Sequence, residues 1–204
     1  YSFVLKKDVQ VDYKIYLSIL NSKVLWFYMS NSGTELRGGY FRFKTAYLNP
    51  FPIPNISPEA QAPFIALADT MLEKNKELQE VKNKFLELLK ADFRLEKVST
   101  KLQNWYEHSW ADLTAELRKL KIELKGEAKE DWKERFDRLQ AQAVAIKHVI
   151  ESTDREIDRK VYELYQLTEE EIAIVDTDVQ HLKPDVQHLN TDVQHLEGVG
   201  HLTQ

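Results

Sequence analysis

The spacing of apolar residues changes several times along the chain, and each change marks a predicted element. Ser2 to Lys6 reads as a strand. Asp12 suits a helix N-cap, and after it Ile15, Tyr16, Ile19, Leu20, Val24, Phe27 and Tyr28 recur at three and four, the period of one helical face. Asn31-Ser32-Gly33 is a stop signal. From Gly38 the pattern switches to alternation: along Gly38-Gly39-Tyr40-Phe41-Arg42-Phe43-Lys44 a strand places Tyr40, Arg42 and Lys44 on one face and Phe41 and Phe43 on the other. Pro50, Pro52, Pro54 and Pro58 then predict an extended connection that no helix crosses.

Two long stripes follow. Ser57-Pro58 pairs an N-cap residue with the first helical position, and Phe64, Leu67, Met71, Leu78, Val81, Phe85 and Leu88 share the a and d positions of one heptad frame, with Lys74 as the polar exception. This predicts a helix of about 35 residues, roughly 50 Å at 1.5 Å per residue. The second stripe runs Trp132, Phe136, Leu139, Ala143, Ile146, Ile150, Thr153 and Ile157, and Val161 and Leu164 extend it after a one-residue slip. Between them Trp105, Tyr106, Trp110, Leu113, Leu117 and Leu120 stand at helical spacing over Leu102 to Lys125, closed by Gly126. Neither long stripe can be buried by an isolated helix, so the economical arrangement is an antiparallel helical hairpin with the Trp-rich helix capping one end or packing alongside. A last short helix begins at Thr168, where Glu171 completes a capping box.

The expected fold class is therefore α+β and mostly helical. A small mixed α/β part occupies residues 1–57, the helical hairpin or brace 58–176, and a tail 177–204. In the tail Asp-Val-Gln-His-Leu recurs at 178, 185 and 192, a seven-residue direct repeat that mimics a heptad seam, although Pro184 forbids one continuous helix through the first junction.

Charge alters this picture more than composition does. The 204 residues carry 28 Lys+Arg and 33 Asp+Glu, net −5, which by itself argues against a protein that coats nucleic acid. The charge is uneven, however. Residues 1–57 hold seven basic side chains against three acidic ones, a balance of +4, which leaves 21 against 30, or −9, for the remainder. Cysteine is absent, which removes disulfides, thiolate metal sites and cysteine nucleophiles and fits a reducing cytoplasm. The longest apolar candidate, Ile15 to Met29, is interrupted by Ser18, Asn21, Ser22 and Lys23, so no membrane span is expected. The first residues, Tyr-Ser-Phe-Val-Leu, read as the middle of a strand and not as a signal peptide, as expected of a piece of something larger.

Catalytic signatures are missing. There is no Gly-rich phosphate loop, no Gly-x-Ser-x-Gly elbow and no His-Glu-x-x-His, and no cofactor is expected. Asn49-Pro50-Phe51-Pro52 superficially matches the Asn-Pro-Pro-aromatic tetrad of adenine methyltransferases, but an aromatic separates the prolines. The run Glu169-Glu170-Glu171 suits a helix N-terminus, and Asp154, Glu156 and Asp158 suit a solvated face. His181, His188 and His195 would stand roughly 10 Å apart on a helix, too far to share a metal that needs ligands at about 2 Å.

The basic segment carries the most informative chemistry. Thr34-Glu35-Leu36-Arg37-Gly38-Gly39 supplies two glycines where backbone can approach a ligand, followed by the cationic strand face of Arg42 and Lys44. Arginine can grip a guanine edge with two parallel hydrogen bonds, and lysine holds phosphate. The same pattern also suits an ordinary edge strand that keeps its cations in solvent.

Ile15-Tyr16-Leu17-Ser18-Ile19-Leu20-Asn21-Ser22-Lys23, then Thr34 to Phe43, then Pro52-Ile53-Pro54, resembles the TaqI-like C-terminal specificity domain of restriction-modification enzymes. Trp132 with Phe136, followed by Thr153 to Ile172, is similar to the C-terminal end of fused type IIG restriction and adenine-methyltransferase polypeptides, except that Gln166 stands where such sequences often have Gly. The repeat after Asp176 has no counterpart in that resemblance. What it implies is a non-catalytic specificity part that recognises double-stranded DNA, in company with the methyltransferase or nuclease part of a parent enzyme. In that reading Thr34, Arg37, Gly38, Gly39, Tyr40, Arg42 and Lys44 face DNA, with Arg37 and Arg42 reading bases and Lys6, Lys7 and Lys44 clamping phosphates. The alternative from another class is a helical interaction module that self-associates through its seams.

Overall fold

The computed structural model describes residues 10–33, 35–36, 40–41 and 44–181, and it is mostly helical. Helix α1 (Tyr13–Asn21) starts where the cap pattern predicts, with Asp12 Oδ1 accepting from the Lys14 N–H at 2.8 Å. The single helix expected to follow is interrupted. Ser22 has an extended backbone (φ −75°, ψ 161°) and its hydroxyl donates to Ile19 O at 2.8 Å, so that α2 (Lys23–Ser32) begins afresh. A short polar side chain that bonds the backbone locally competes with helix continuation, which apolar spacing alone does not register.

Strands β1 (Glu35–Leu36) and β2 (Tyr40–Phe41) pair antiparallel, Glu35 opposite Phe41 and Leu36 opposite Tyr40. That ladder is all the sheet among the described residues, so the mixed α/β N-terminal part expected from sequence is not supported; the strand expected over Ser2 to Lys6 lies outside them. Alternation was read as far as Lys44, but Lys44 caps a short helix α3 (Thr45–Leu48), its carbonyl accepting from the Tyr47 and Leu48 N–H groups at 2.9 and 3.1 Å. The Pro-rich connection then runs to Ser57 without helix or strand.

Helix α4 (Pro58–Phe93) starts at the expected cap, with Ser57 Oγ accepting from the Ala60 N–H at 3.4 Å. Its buried positions follow 3.6-residue periodicity more closely than the heptad. Phe64, Val81 and Phe85 are buried as the frame predicts, but Ala68 and Leu89 take the fully buried places assigned to Leu67 and Leu88. The Trp-rich segment departs further. In place of one helix there is a short α5 (Thr100–Gln103), a 3-10 turn (Trp105–Glu107) and α6 (Trp110–Lys119). Ser109 and Asp112 form a reciprocal capping box that starts α6, and Lys121 at φ 63° stops it. Gly126, also at positive φ (54°), opens α7 (Gly126–Tyr165) instead of closing the preceding helix.

The described residues form two compact units. One combines those up to Ser18 with Ile56–Lys160; the other combines Ile19–Asn55 with those from Val161 onward. The first has an aromatic core. The Phe85 ring stacks on Trp105 at 4.0 Å and meets Trp132 and Phe136 edge-on at 5.8 and 6.1 Å. Phe93 touches Trp132, and Asp92 pairs with Arg135 at 3.5 Å, so descending α4 matches ascending α7 and the two run antiparallel here. Leu102, Leu113 and Leu117 close the cluster. The 3-10 turn is held from α7, where Gln140 Nε2 donates to Tyr106 O at 3.1 Å and His108 O at 2.7 Å.

Candidate nucleic-acid interface

The β1–β2 hairpin is where sequence reasoning placed DNA, and it sits in the second unit between α2 and α3. The last turn of α2, from which it departs, is tied off by side chains. Asn31 Nδ2 donates to Phe27 O at 2.8 Å and Ser32 Oγ to Tyr28 O at 2.6 Å, side chains folded back on carbonyls one turn earlier, and the Gly33 N–H bonds Met29 O at 2.8 Å, a carbonyl of the last turn. Gly33 does this from an extended backbone (φ −85°), so its left-handed freedom is not used.

On the α3 side the chain is fixed by Phe51. Its buried ring lies 4.9 Å from Tyr28 and 6.0 Å from Tyr165, and the Tyr165 hydroxyl donates to Pro52 O at 2.7 Å. Burial pushes the Tyr165 hydroxyl up to about 12, so it remains a protonated donor through the ordinary pH range. The Asn49-Pro50-Phe51-Pro52 sequence is thus a packing plug, its aromatic ring turned into the core.

A third support was not foreseen as a partner of this region. Helix α8 (Glu169–His181) starts at the expected capping box, the Thr168 N–H donating to Glu171 Oε2 at 2.8 Å and the Glu171 N–H to Thr168 Oγ1 at 3.3 Å. It packs on α2 and buries Val175 and Val179. Lys23 pairs with Asp176 at 2.7 Å, the Tyr162 hydroxyl donates to the same oxygen at 2.8 Å, and Asn31 Nδ2 donates to Asp178 Oδ2 at 3.1 Å. The α2 partners of the two aspartates, Lys23 and Asn31, lie about 150 positions away in the chain, and no local pattern pairs them. The available signal was weaker: Lys23 is the lone cation of α2, and two aspartates flank the valines of α8.

Of the sequence-predicted site residues, Lys6, Lys7, Thr34, Arg37, Gly38, Gly39 and Arg42 lie outside the described residues. Tyr40 is described as backbone in β2, opposite Leu36. Lys44 is exposed at the start of α3. Among the described residues no group of His, Asp and Glu could hold a metal ion, and no helix is long and apolar enough to cross a membrane.

Comparison with known families matches two stretches of the chain. Residues 57–161 match a family described as a domain of unknown function, DUF8810. The chain belongs to the DUF8810 family. The DUF8810 segment spans α4 to the start of the last turn of α7 and contains the whole aromatic core. Residues 1–53 match the TaqI-like C-terminal specificity domain, a stretch that includes α1, α2, the hairpin and α3. No curated protein and no solved structure matches the chain. Helix α8 lies outside both matched stretches.

Proposed function

We propose that this DUF8810 chain recognises duplex DNA sequence as the non-catalytic specificity part of a restriction-modification enzyme or an adenine-specific DNA methyltransferase. The observation that carries the reading is the match of residues 1–53 to the TaqI-like specificity domain. The +4 charge balance of residues 1–57 supports it, because phosphate contacts dominate affinity for duplex DNA. In this reading the hairpin strand and its Arg37-Gly38-Gly39 connection face the duplex, Arg37 and Arg42 contact base edges, and Lys6, Lys7 and Lys44 hold phosphates. The methyltransferase and any nuclease belong to a partner part of the parent enzyme. The competing reading, a helical module that pairs with other chains through its seams, is weakened because Trp132, Phe136, Leu139, Ala143 and Ile146 are spent on the chain's own core.

The test is selection of a randomised duplex pool by the full chain at low salt, followed by fluorescence anisotropy on the enriched site. Enrichment of a shared sequence is expected; a pool that stays random overturns the reading. Arg42→Ala is expected to cost about 1–3 kcal/mol of preference for one base, whereas Lys44→Ala weakens binding to every duplex and lowers the salt slope by about 1. Equal losses on specific and random DNA in Arg42→Ala would remove its base-reading role.

A further inference from the structure

Helix α8 follows both matched stretches, yet its contacts converge on the one helix that leads into the hairpin. Val175 and Val179, 4% and 2% exposed, anchor it one turn apart. Asp176 takes Lys23, at the start of α2, and the Tyr162 hydroxyl. Asp178 takes Asn31 Nδ2 at 3.1 Å and Ser30 Oγ at 3.5 Å, at the end of α2. Helix electrostatics alone would not put these aspartates here. They stand in the C-terminal half of α8, where its dipole disfavours negative charge, and Asp178 also approaches the C-terminal end of α2, which is likewise negative. The directed hydrogen bond from Asn31 Nδ2 works against both penalties, since the Ser30 hydroxyl gives its own hydrogen to Phe27 O at 2.8 Å, and it makes the contact a specific latch.

We propose that α8 is a positioning element for the DNA-reading hairpin, with Asp178 setting the last turn of α2 from which that hairpin departs. Asn31 lies two residues before Gly33 and four before Glu35, the first residue of β1, so a shift of this turn is passed directly to the strand pair. Asp178 and Val179 are also the first two residues of the first Asp-Val-Gln-His-Leu copy, which gives that copy a task within the fold. The inference rests on the proposed DNA reading, and its test separates the two.

The experiment compares four full-length or C-terminally shortened chains with wild type on the enriched duplex and on random duplex. Asp178→Leu removes the acceptor and truncation after Thr177 removes Asp178 and Val179; both are expected to reduce the preference for the enriched site about tenfold, the scale of one hydrogen bond to a charged group. Asp178→Asn keeps a side-chain carbonyl that can accept from Asn31, and truncation after His181 keeps α8; both are expected to stay within about threefold of wild type. Thermal unfolding of the aromatic unit, read by tryptophan fluorescence, should be unchanged in all four. Undiminished preference in Asp178→Leu, or equal loss in Asp178→Asn, overturns the positioning role. Amide exchange at the Gly33 N–H, bonded to Met29 O, reads the latch without DNA: faster exchange in Asp178→Leu is expected, and no change overturns the latch. If wild type enriches no sequence, the DNA reading fails, and the exchange result still decides whether the latch exists.

Discussion

In the unit built on Ile56–Lys160 distant segments are joined by a large ring cluster, whereas in the unit containing Ile19–Asn55, where Phe51 meets Tyr28 and Tyr165, α8 with its buried Val175 and Val179 is also tied to α2 by a set of polar tethers. Phe85, Trp105, Trp132 and Phe136 form a buried cluster in which Trp105 is 0% exposed. Lys23 and Asp176, by contrast, retain 26% and 37% of their side-chain surface. A packed aromatic core tolerates little displacement, since every neighbour loses contact at once. A partly solvated tether is weaker but directional, and it fixes orientation more than it supplies stability.

Four substitutions test that contrast. The largest effect is expected for Phe85→Ala, which empties the centre of the ring cluster and should cost about 3–5 kcal/mol in urea unfolding. A loss below about 1 kcal/mol would mean that the cluster does not hold the helical unit together.

Ser109→Ala comes next. It removes the cap of α6 and should cost about 1 kcal/mol, measured the same way. The same cap makes the helical unit acid-sensitive. The Lys101 ammonium at 2.8 Å, then the Ser109 hydroxyl and N–H, hold the Asp112 carboxyl well below the usual carboxylate range. A group whose folded value is depressed contributes stability above its unfolded value, near pH 4, and loses that contribution as pH falls toward the folded one. The destabilisation of Asp112→Asn relative to wild type, clear at pH 6, should therefore shrink on acidification below about pH 4. A gap that is constant with pH would show that the charge of Asp112 is irrelevant.

The smallest effect is expected in the second unit. Gln166 ends α7 at φ 56°, with its N–H on Glu163 O and the Leu167 N–H on Tyr162 O, the paired bonds of a left-handed helix stop. Gln166→Gly relieves strain of about 1–2 kcal/mol but gives back about 0.4–1 through a freer unfolded chain, so a net gain of about 0.5–1 kcal/mol is expected in thermal unfolding. Destabilisation would mean that the Gln166 side chain has a role of its own.

Much of the architecture was legible because it depends on local chemistry. Asp12, Ser57, Thr168 and the Asn31-Ser32-Gly33 stop mark helix ends at or next to the places where they occur, since a cap bonds groups within three or four residues. The second stripe was equally legible: Trp132, Phe136, Leu139, Ala143 and Ile146 are all buried. Local competition misled the reading where two signals overlapped. The apolar spacing through Ser22 and through Ser109 promised continuity, and in both places a serine hydroxyl bonded nearby backbone and restarted the helix. The candidate site was the least legible. Residues such as Arg37 and Arg42 stand out for their chemistry, whereas the groups that hold α2, Asp176 at its start and Asp178 at its last turn, resemble any solvated carboxylates until α8 is seen against α2.

The sequence by itself determined where most helices begin and end, which face of α7 is buried, and the split between a basic first segment and an acidic remainder, because caps, periodicity and charge act within a few residues. Only the tertiary structure decided that Phe51 is a plug between Tyr28 and Tyr165, that the Trp-rich segment folds around Phe85 as short pieces, and that α8 fastens α2. Those outcomes depend on pairings between groups far apart in the chain, and a side chain carries no mark of which distant partner will complete its hydrogen bond or cover its ring.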